Sequence, residues 1–194
     1  MDVVIPAAGR GSRLGKLTDD RPKRLVEIAG RPLLAHVFET AIEAGADALV
    51  VIVGYEAAQI VDRFGDVFDG VPITYVHQRE RKGLGYAVLQ AEPHVDGTFL
   101  LVNGDNVFAG SVAPAIEAVE KADAALAVEE VSPAVAATTG VIETDEAGRV
   151  TGIVEKPAEP PAALVTTGCY TEPRRKPTTL LLSFTHKSSR CYGE

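Results

Sequence analysis

The stretch DVVIPAAGRGSRLGKLTDDRPK occupies residues 2–23 and decides which fold the chain adopts. Its first part, Asp2–Ala7, is short, rich in β-branched residues and followed by glycine, which predicts a buried strand. Gly9 and Gly11 allow the backbone after this strand to approach an anion closely and to point N–H groups at it. Arg13 adds a planar guanidinium that can hold phosphate oxygens. The stretch therefore predicts a buried strand followed by a basic, anion-binding loop.

Strands and helices alternate along the first 130 or so residues. Further strands are predicted at Ala48–Val53, Ile73–His77, Thr98–Val102 and Ala124–Val128, and helices at 32–45, Ala57–Phe64, Tyr86–Ala91 and Pro114–Lys121. This alternation is typical of βαβ units, so we expect an α/β protein: a Rossmann-like three-layer α/β/α fold with a mostly parallel mixed sheet. Val141–Thr144 and Arg149–Glu155 flank an Asp-Glu-Ala-Gly turn, which predicts a small β-hairpin region.

The composition limits what the chain can bind. Its 194 residues are 46% hydrophobic and carry a formal net charge of −8, which fits one globular domain and argues against binding to nucleic acid or to an anionic membrane. Between residues 10 and 31 the sign reverses, with seven Lys and Arg against three Asp and Glu. A basic segment in an acidic protein is suited to an anionic small substrate.

Localisation is predicted to be cytoplasmic. No apolar run is long enough to span a bilayer, and no secretory signal is visible near Met1. Cys169 and Cys191 do not stand at a spacing typical of metal sites, so free thiols in a reducing compartment are expected.

The glycine-rich loop does not match the two commonest nucleotide-binding loops. Leu14 stands where the dinucleotide-binding pattern has its third glycine, and the loop is too long to begin a helix at once. The chain also lacks the G-x-x-x-x-G-K-[ST] pattern of phosphate-binding P-loops. A dinucleotide-dependent oxidoreductase is therefore the weakest interpretation.

Residues 7–34, AAGRGSRLGKLTDDRPKRLVEIAGRPLL, resemble the signature of the sugar-1-phosphate nucleotidyltransferases. That family carries G-x-G-T-R-L, then Pro-Lys, then G-x-P-L or G-x-P-M; here Ser12 replaces the threonine and keeps its hydroxyl. The resemblance extends from residue 2 to about residue 170 and is closest to glucose-1-phosphate uridylyltransferases and thymidylyltransferases. It implies an enzyme that transfers a nucleoside monophosphate from UTP or dTTP to a sugar 1-phosphate, by default glucose 1-phosphate, forming a nucleotide-sugar and releasing pyrophosphate.

The resemblance also assigns roles to individual residues. The catalytic residues it implies are Arg13, Lys23 and Asp105, and Asp105 would also bind Mg²⁺, which commonly takes one or two carboxylates together with substrate phosphates. The nucleotide-binding residues it implies are Ala8, Gly9, Gly11, Ser12, Arg13, Gln78 and Gly83. The sugar-phosphate-binding residues it implies are Gly140, Glu155, Lys156 and Gly168. Thr139 stands where the family usually has an aromatic residue, and an amide at Gln78 suits the pyrimidine imide of UTP and dTTP equally.

Two other interpretations of the function stay open. The run Ile5–Gly9 also suits a cytidylyltransferase that acts on a polyol or choline phosphate. A non-catalytic remnant or regulatory domain is the second, because the family normally takes a second metal-binding Asp from its C-terminal third and this chain has no Asp after Asp145. Formation of a homo-oligomer is also left open.

The composition changes after residue 170. Residues 171–194 contain no Ala, Val, Ile or Asp, are rich in Ser and Thr, and are net basic. We therefore expect a nucleotidyltransferase domain over residues 1–170, incomplete at its C-terminal side, and a disordered or frame-shifted tail over residues 171–194.

Overall fold

A computed structural model describes residues 1–9, 21–80, 82–119 and 122–173. The strands of this part are β1 (Asp2–Pro6), β2 (Glu27–Ile28), β3 (Arg31–Pro32), β4 (Ala48–Val53), β5 (Val67–Phe68), β6 (Val71–His77), β7 (Thr98–Val102), β8 (Ala125–Glu130), β9 (Gly140–Thr144), β10 (Val150–Glu155) and β11 (Leu164–Pro173). The α-helices are α1 (Leu33–Glu43), α2 (Ala57–Phe64), α3 (Leu84–Ala91), α4 (Ala113–Ala118) and α5 (Pro133–Ala136). Single 3-10 turns cover Lys23–Leu25 and Glu92–His94.

The main sheet has a parallel centre and antiparallel margins. Its strand order is β10-β9-β11-β7-β1-β4-β6-β5, with β8 paired to β11. Strands β7, β1, β4 and β6 are parallel to one another, whereas β11 pairs antiparallel with β7, β8 and β9. This mixed sheet confirms the predicted fold class. Because β1 and β7 are parallel neighbours, their carboxyl ends lie side by side.

Both faces of the sheet are covered, as a three-layer fold requires. Alternate residues of a strand point to opposite faces, and β4 is apolar on both. Leu49 and Val51 belong to the apolar cluster that contains α1 and α2, whereas Val50 and Ile52 belong to the cluster that contains α3. Such two-sided burial explains why the central strands are continuous apolar runs in the sequence.

The margin of the sheet contains the predicted hairpin and one strand that was not predicted. The predicted hairpin forms between β9 and β10, and it joins the main sheet through the contact of β9 with β11. Strand β11, which was not predicted, continues in register with β7 as far as Pro173. The sheet therefore extends three residues beyond the predicted domain end at residue 170, and residues 174–194 of the predicted tail lie outside the described residues.

Across the described ranges, the structure contains no helix long and apolar enough to cross a membrane.

Candidate active site

Lys23 and Asp105 meet where β1 and β7 end. Lys23 begins the 3-10 turn after Pro22, and Asp105 follows β7 by three residues. Although 82 positions separate them in sequence, Lys23 Nζ lies 2.7 Å from Asp105 Oδ2. The fold therefore brings together two of the three residues that the resemblance named as catalytic. Arg13, the third, lies outside the described residues.

Arg24 is a second cation at Asp105, and the sequence reasoning did not single it out. Its side chain is only 9% exposed, and its Nη1 lies 3.5 Å from Asp105 Oδ2. Burial lowers the pKa of Arg24 below its ordinary value, and the charge of Asp105 opposes this. The only sequence signal was its place directly after Lys23 in a basic run, which does not indicate which member of the run is buried.

The two cations decide the ionisation of Asp105. Burial acts to raise the pKa of this carboxyl, but the charge of Arg24 and the hydrogen bond and charge of Lys23 outweigh it, so the pKa lies below its ordinary value. A carboxyl whose charged form has such partners stays ionised at neutral pH. Asp105 is thus a carboxylate that faces a cleft of about 1350 Å³.

The fit of this carboxylate to Mg²⁺ can be judged from the donors around it. Within residues 1–9, 21–80, 82–119 and 122–173, no group of three or more His, Cys, Asp and Glu side chains could hold a metal ion. Mg²⁺ commonly binds one or two carboxylates and takes its remaining oxygen ligands from water and substrate phosphates. The single ionised carboxylate of Asp105 fits that pattern of ligands.

Close backbone packing holds the Asp105 turn against β1. The Gly104 N–H donates to the Pro6 carbonyl over 3.2 Å. A Cβ on Gly104 would stand 2.9 Å from that same carbonyl oxygen, a distance that atoms in contact do not allow. Only glycine permits this approach, so Gly104 fixes where the carboxylate of Asp105 stands relative to the end of β1.

Three of the seven predicted nucleotide-binding residues line two cavities. Ala8 and Gln78 line a cavity of about 340 Å³, and the backbone N–H of Gln78 donates to the Val53 carbonyl over 2.8 Å. Gly83 precedes α3 and lines the larger cleft with Asp105. Gly9 lies at the end of the described residues after β1, and Gly11, Ser12 and Arg13 lie outside them.

Three of the four predicted sugar-phosphate residues line the larger cleft. Gly140, Glu155 and Gly168 lie on its wall, carried by β9, β10 and β11 respectively. Lys156 follows β10, and its Nζ lies 3.1 Å from Glu155 Oε1. Both side chains of this pair are nearly half exposed, at 46% and 45%. The structure thus gathers the carboxylate and the two glycines on the cleft, with the lysine paired beside it.

A bulge in β11 connects the sugar side of the cleft to the Asp105 turn. The register of β11 against β8 shifts between Thr166 and Tyr170, and Gly168 within it has φ +71°. Asn103 N donates to the Gly168 carbonyl over 2.9 Å, and the amide of Asn106 donates to the Thr167 carbonyl. The asparagines on either side of Asp105 therefore fix the bulge, a role for Asn103 that the sequence reasoning did not identify.

Comparisons with known proteins agree with this fold. The chain is 46% identical over 173 residues to the UTP–glucose-1-phosphate uridylyltransferase AglF of Haloferax volcanii, covering 88% of this chain and 71% of that protein. It is 37% identical over 170 residues to the bifunctional protein GlmU of Methanocaldococcus jannaschii, covering 88% of this chain and 39% of that protein. The chain thus spans well under half of the length of GlmU.

Solved structures and a family match complete the comparison. A Bacillus anthracis protein, provisionally assigned as a glucose-1-phosphate thymidylyltransferase, superposes with a TM-score of 0.83 at 26% identity, covering 90% of this chain and 72% of that one. A UDP-glucose pyrophosphorylase from Acinetobacter baumannii shares the fold with a TM-score of 0.81 at 23% identity, covering 98% and 81%. The Nucleotidyl transferase family matches residues 2–174. This chain, with its lysine–carboxylate pair at the ends of β1 and β7, therefore belongs to the Nucleotidyl transferase family.

Proposed function

We propose that this chain transfers UMP or dTMP from UTP or dTTP to glucose 1-phosphate, releasing pyrophosphate and forming a nucleotide-sugar. The observation that carries the proposal is the pairing of Lys23 with Asp105 over 2.7 Å at the cleft where the parallel strands end. The names of the relatives support the substrates: AglF is named for UTP and glucose 1-phosphate. These names favour uridylyl or thymidylyl transfer over the cytidylyltransferase alternative.

The reaction is an in-line displacement at the α-phosphorus. An oxygen of the sugar phosphate forms the new P–O bond, the bond from the α-phosphorus to the bridging oxygen breaks, and its electron pair leaves with pyrophosphate. No covalent enzyme intermediate is needed, so the protein contributes positioning and charge stabilisation. Lys23 is suited to stabilise the reacting phosphoryl group, and Arg13 is proposed to hold the leaving pyrophosphate.

Asp105 is proposed to hold Mg²⁺. When bound, the ion would neutralise phosphate charge in the transition state. The protein's own contribution is to keep the carboxylate ionised, which Arg24 and Lys23 do by lowering its pKa against the effect of burial. Because Lys23 is 27% exposed, its ammonium can turn from the carboxylate to a phosphoryl oxygen.

Glu155 and Lys156 are proposed to bind the sugar phosphate. A carboxylate such as Glu155 can accept hydrogen bonds from neighbouring sugar hydroxyls, and the ammonium of Lys156 can pair with the sugar's phosphate. Gly140 permits close packing there, since a Cβ on it would stand 3.2 Å from Glu155 Oε2. Gln78 and Gly83 are proposed to contact the base.

We also propose a cytoplasmic location, where nucleotide and sugar phosphate are both available. Cys169 is a free, buried cysteine, and burial raises the pKa of its thiol to about 12. A thiol of that kind is protonated and unreactive at neutral pH; the location is proposed from its free state, since cysteines stay reduced in the cytoplasm.

The proposal is tested with the purified chain, Mg²⁺ and glucose 1-phosphate, supplied in turn with UTP, dTTP and CTP. We expect equal amounts of pyrophosphate and nucleotide-sugar with UTP or dTTP, and much less of both with CTP. A Lys23→Met variant serves as the control for contaminating activity. Product with CTP and a polyol phosphate alone would favour the cytidylyltransferase, and no product with any pair would favour a non-catalytic nucleotide-binding role.

A further inference from the structure

The side chain of Arg24 is buried beside Asp105, and its loss of water is only partly compensated by hydrogen bonds. Its Nη1 lies 3.5 Å from Asp105 Oδ2, and its Nη2 lies 3.5 Å from the Pro6 carbonyl oxygen. Both distances are longer than the ideal range for hydrogen bonds. Its Nε is buried and has no hydrogen-bond partner among the residues that the structure describes. Desolvation is the largest influence on its pKa and lowers it. The guanidinium thus loses water without gaining a full set of partners.

Stability alone does not account for a cation in this position. Replacing buried ion pairs by apolar side chains of similar volume is often neutral or stabilising. The location of Arg24 indicates its role better than its contribution to stability does. Its guanidinium contacts both Pro6, the last residue of β1, and the carboxylate of Asp105, which follows β7. Its Nε stands 3.3 Å from the point where a Cβ of Gly104 would lie, so the glycine leaves room for it.

Lys23 and Arg24 both contact Oδ2 of Asp105, but their side chains differ in exposure to solvent. The side chain of Lys23 is 27% exposed, whereas that of Arg24 is only 9% exposed. On the proposed function, Lys23 exchanges the carboxylate for a phosphoryl oxygen during the reaction. When Lys23 leaves, Arg24 still contacts the carboxylate from the protein side and can hold its position.

We propose that Arg24 is a positioning residue that holds the carboxylate of Asp105 in place while Lys23 is engaged with phosphate. The inference rests on the proposed function, and it assigns Arg24 no contact with substrate. Arg24 acts through Asp105, so its loss should lower the rate of the chemical step and leave substrate binding nearly unchanged.

The kinetic test compares Arg24→Met and Arg24→Lys with wild type, at a temperature well below the melting temperature of each variant. We expect kcat for Arg24→Met to fall by roughly tenfold to a hundredfold, the scale of loss that a small misplacement of a reacting group causes. KM for UTP or dTTP and for glucose 1-phosphate should change by less than about threefold, since ground-state binding is retained. Arg24→Lys keeps the charge but not the planar fork, and should retain more of kcat than Arg24→Met.

Arg31→Met is the matched control. Arg31 is a half-exposed arginine paired with Glu39, away from the cleft, and its loss should leave kcat unchanged. A kcat for Arg24→Met within twofold of wild type overturns the inference. So does a loss that appears only in KM for the nucleotide.

A second measurement needs no activity. If Arg24 acts on Asp105, the melting temperature should fall more in Asp105→Asn than in the double variant Arg24→Met/Asp105→Asn, because the single variant leaves a buried cation without its carboxylate. Additive shifts would overturn the coupling. If Arg24→Met does not fold, Arg24→Lys and the double variant still decide the question. Absence of product with the wild type would instead refute the proposed function, and the melting experiment would remain interpretable.

Discussion

Asp105 and Glu155 both line the large cleft, and each is paired with a lysine in a different way. Lys23 and Asp105 are 82 positions apart, lie 2.7 Å from each other and are 27% and 28% exposed. Lys156 and Glu155 are sequence neighbours, 3.1 Å apart and nearly half exposed. The first pair exists only because β1 and β7 are parallel neighbours, whereas the second joins adjacent residues where β10 ends.

The difference suggests that the Lys23–Asp105 pair is fixed by the packing of the fold (the centre), whereas the Lys156–Glu155 pair at the edge of the sheet can change its partners (the margin). Exposed pairs contribute little to stability because water and salt screen them, so the pair at Glu155 is free to exchange its partner for a ligand. The pair at Asp105 is backed by the buried Arg24 and is part of the packing between two strands. We therefore expect the two pairs to respond differently to the same chemical change.

The largest effect is expected from Asp105→Asn compared with Glu155→Gln. Asp105→Asn removes the charge that balances two cations and should lower nucleotide-sugar formation by about 10²–10³-fold. It should also lower the free energy of unfolding by on the order of 3 kcal/mol, because Arg24 stays buried without its carboxylate. Glu155→Gln should change the free energy of unfolding by less than about 0.5 kcal/mol. Product formation and urea denaturation measure both, and equal stability losses would break the comparison.

Substitution of Lys23 should mainly lower kcat, whereas substitution of Lys156 should mainly raise KM. Lys23→Met is expected to lower kcat by roughly 10²-fold, because the lost charge stabilises the transition state. Lys156→Met is expected to raise KM for the sugar phosphate by about tenfold with a smaller change in kcat, since it removes a contact made equally in the ground state. Steady-state kinetics with each substrate varied separates the two results. A sugar-phosphate KM that is unchanged in Lys156→Met would remove this residue from the proposed sugar site.

The central fold could be predicted because its signals are local. Continuous apolar runs mark β1 and β4, and the helical pattern that follows Pro32 becomes α1. Strand β11 was missed, because Thr166, Thr167 and Gly168 interrupt its pattern where the bulge forms. The change of composition at residue 171 also suggested an end, although the strand continues through Thr171 and Glu172, which are both buried.

The site could be predicted only in part, for a related reason. Lys23, Asp105 and Glu155 were named through the family resemblance, since single charged residues in a sequence do not indicate their partners. Arg24 was not singled out, because seven basic residues stand between positions 10 and 31 and nothing local marks Arg24, whose burial among the described residues depends on its packing at Gly104. Whether a polar residue is buried depends on tertiary packing, so the periodicity of hydrophobic residues along the sequence does not indicate it.

A smaller effect is expected from Gly168→Ala, which tests how the two sides of the cleft are joined. Gly168 has φ +71°, and a Cβ there would collide with the amide nitrogen of Asn103 and stand 2.7 Å from that of Asn106. We expect a loss of about 2–3 kcal/mol in the free energy of unfolding, from backbone strain and displacement of the two asparagine side chains. Gly148→Ala is the matched control, since Gly148 has φ +76° with nothing near its Cβ position. It should lose only about 1 kcal/mol, and equal losses in thermal denaturation would show that the side chains of Asn103 and Asn106 both move away freely.

The smallest effect is expected from a change of pH at the turn of the β9–β10 hairpin. This hairpin carries Gly140 and Glu155 at the margin of the sheet. The backbone N–H and the side chain of Arg149, with the N–H of Ala147, donate to Asp145 and lower the pKa of its carboxyl. A lowered pKa in the folded state means that this support is complete above the ordinary Asp pKa of about 3.9 and is lost as the pH falls through the lowered value.

Amide proton chemical shifts of Ala147 and Arg149, followed by NMR from pH 6 down to pH 2, should report this titration, while the amides of β1 and β7 serve as the internal reference. In Asp145→Asn the same two amides should show no titration, because the side chain keeps its acceptor oxygen but has no charge to lose. An unchanged pH profile in that variant would mean that another group controls the hairpin. A titration that moves the β1 and β7 amides together with the turn would show that the margin and the centre respond as one unit, which contradicts the division between them.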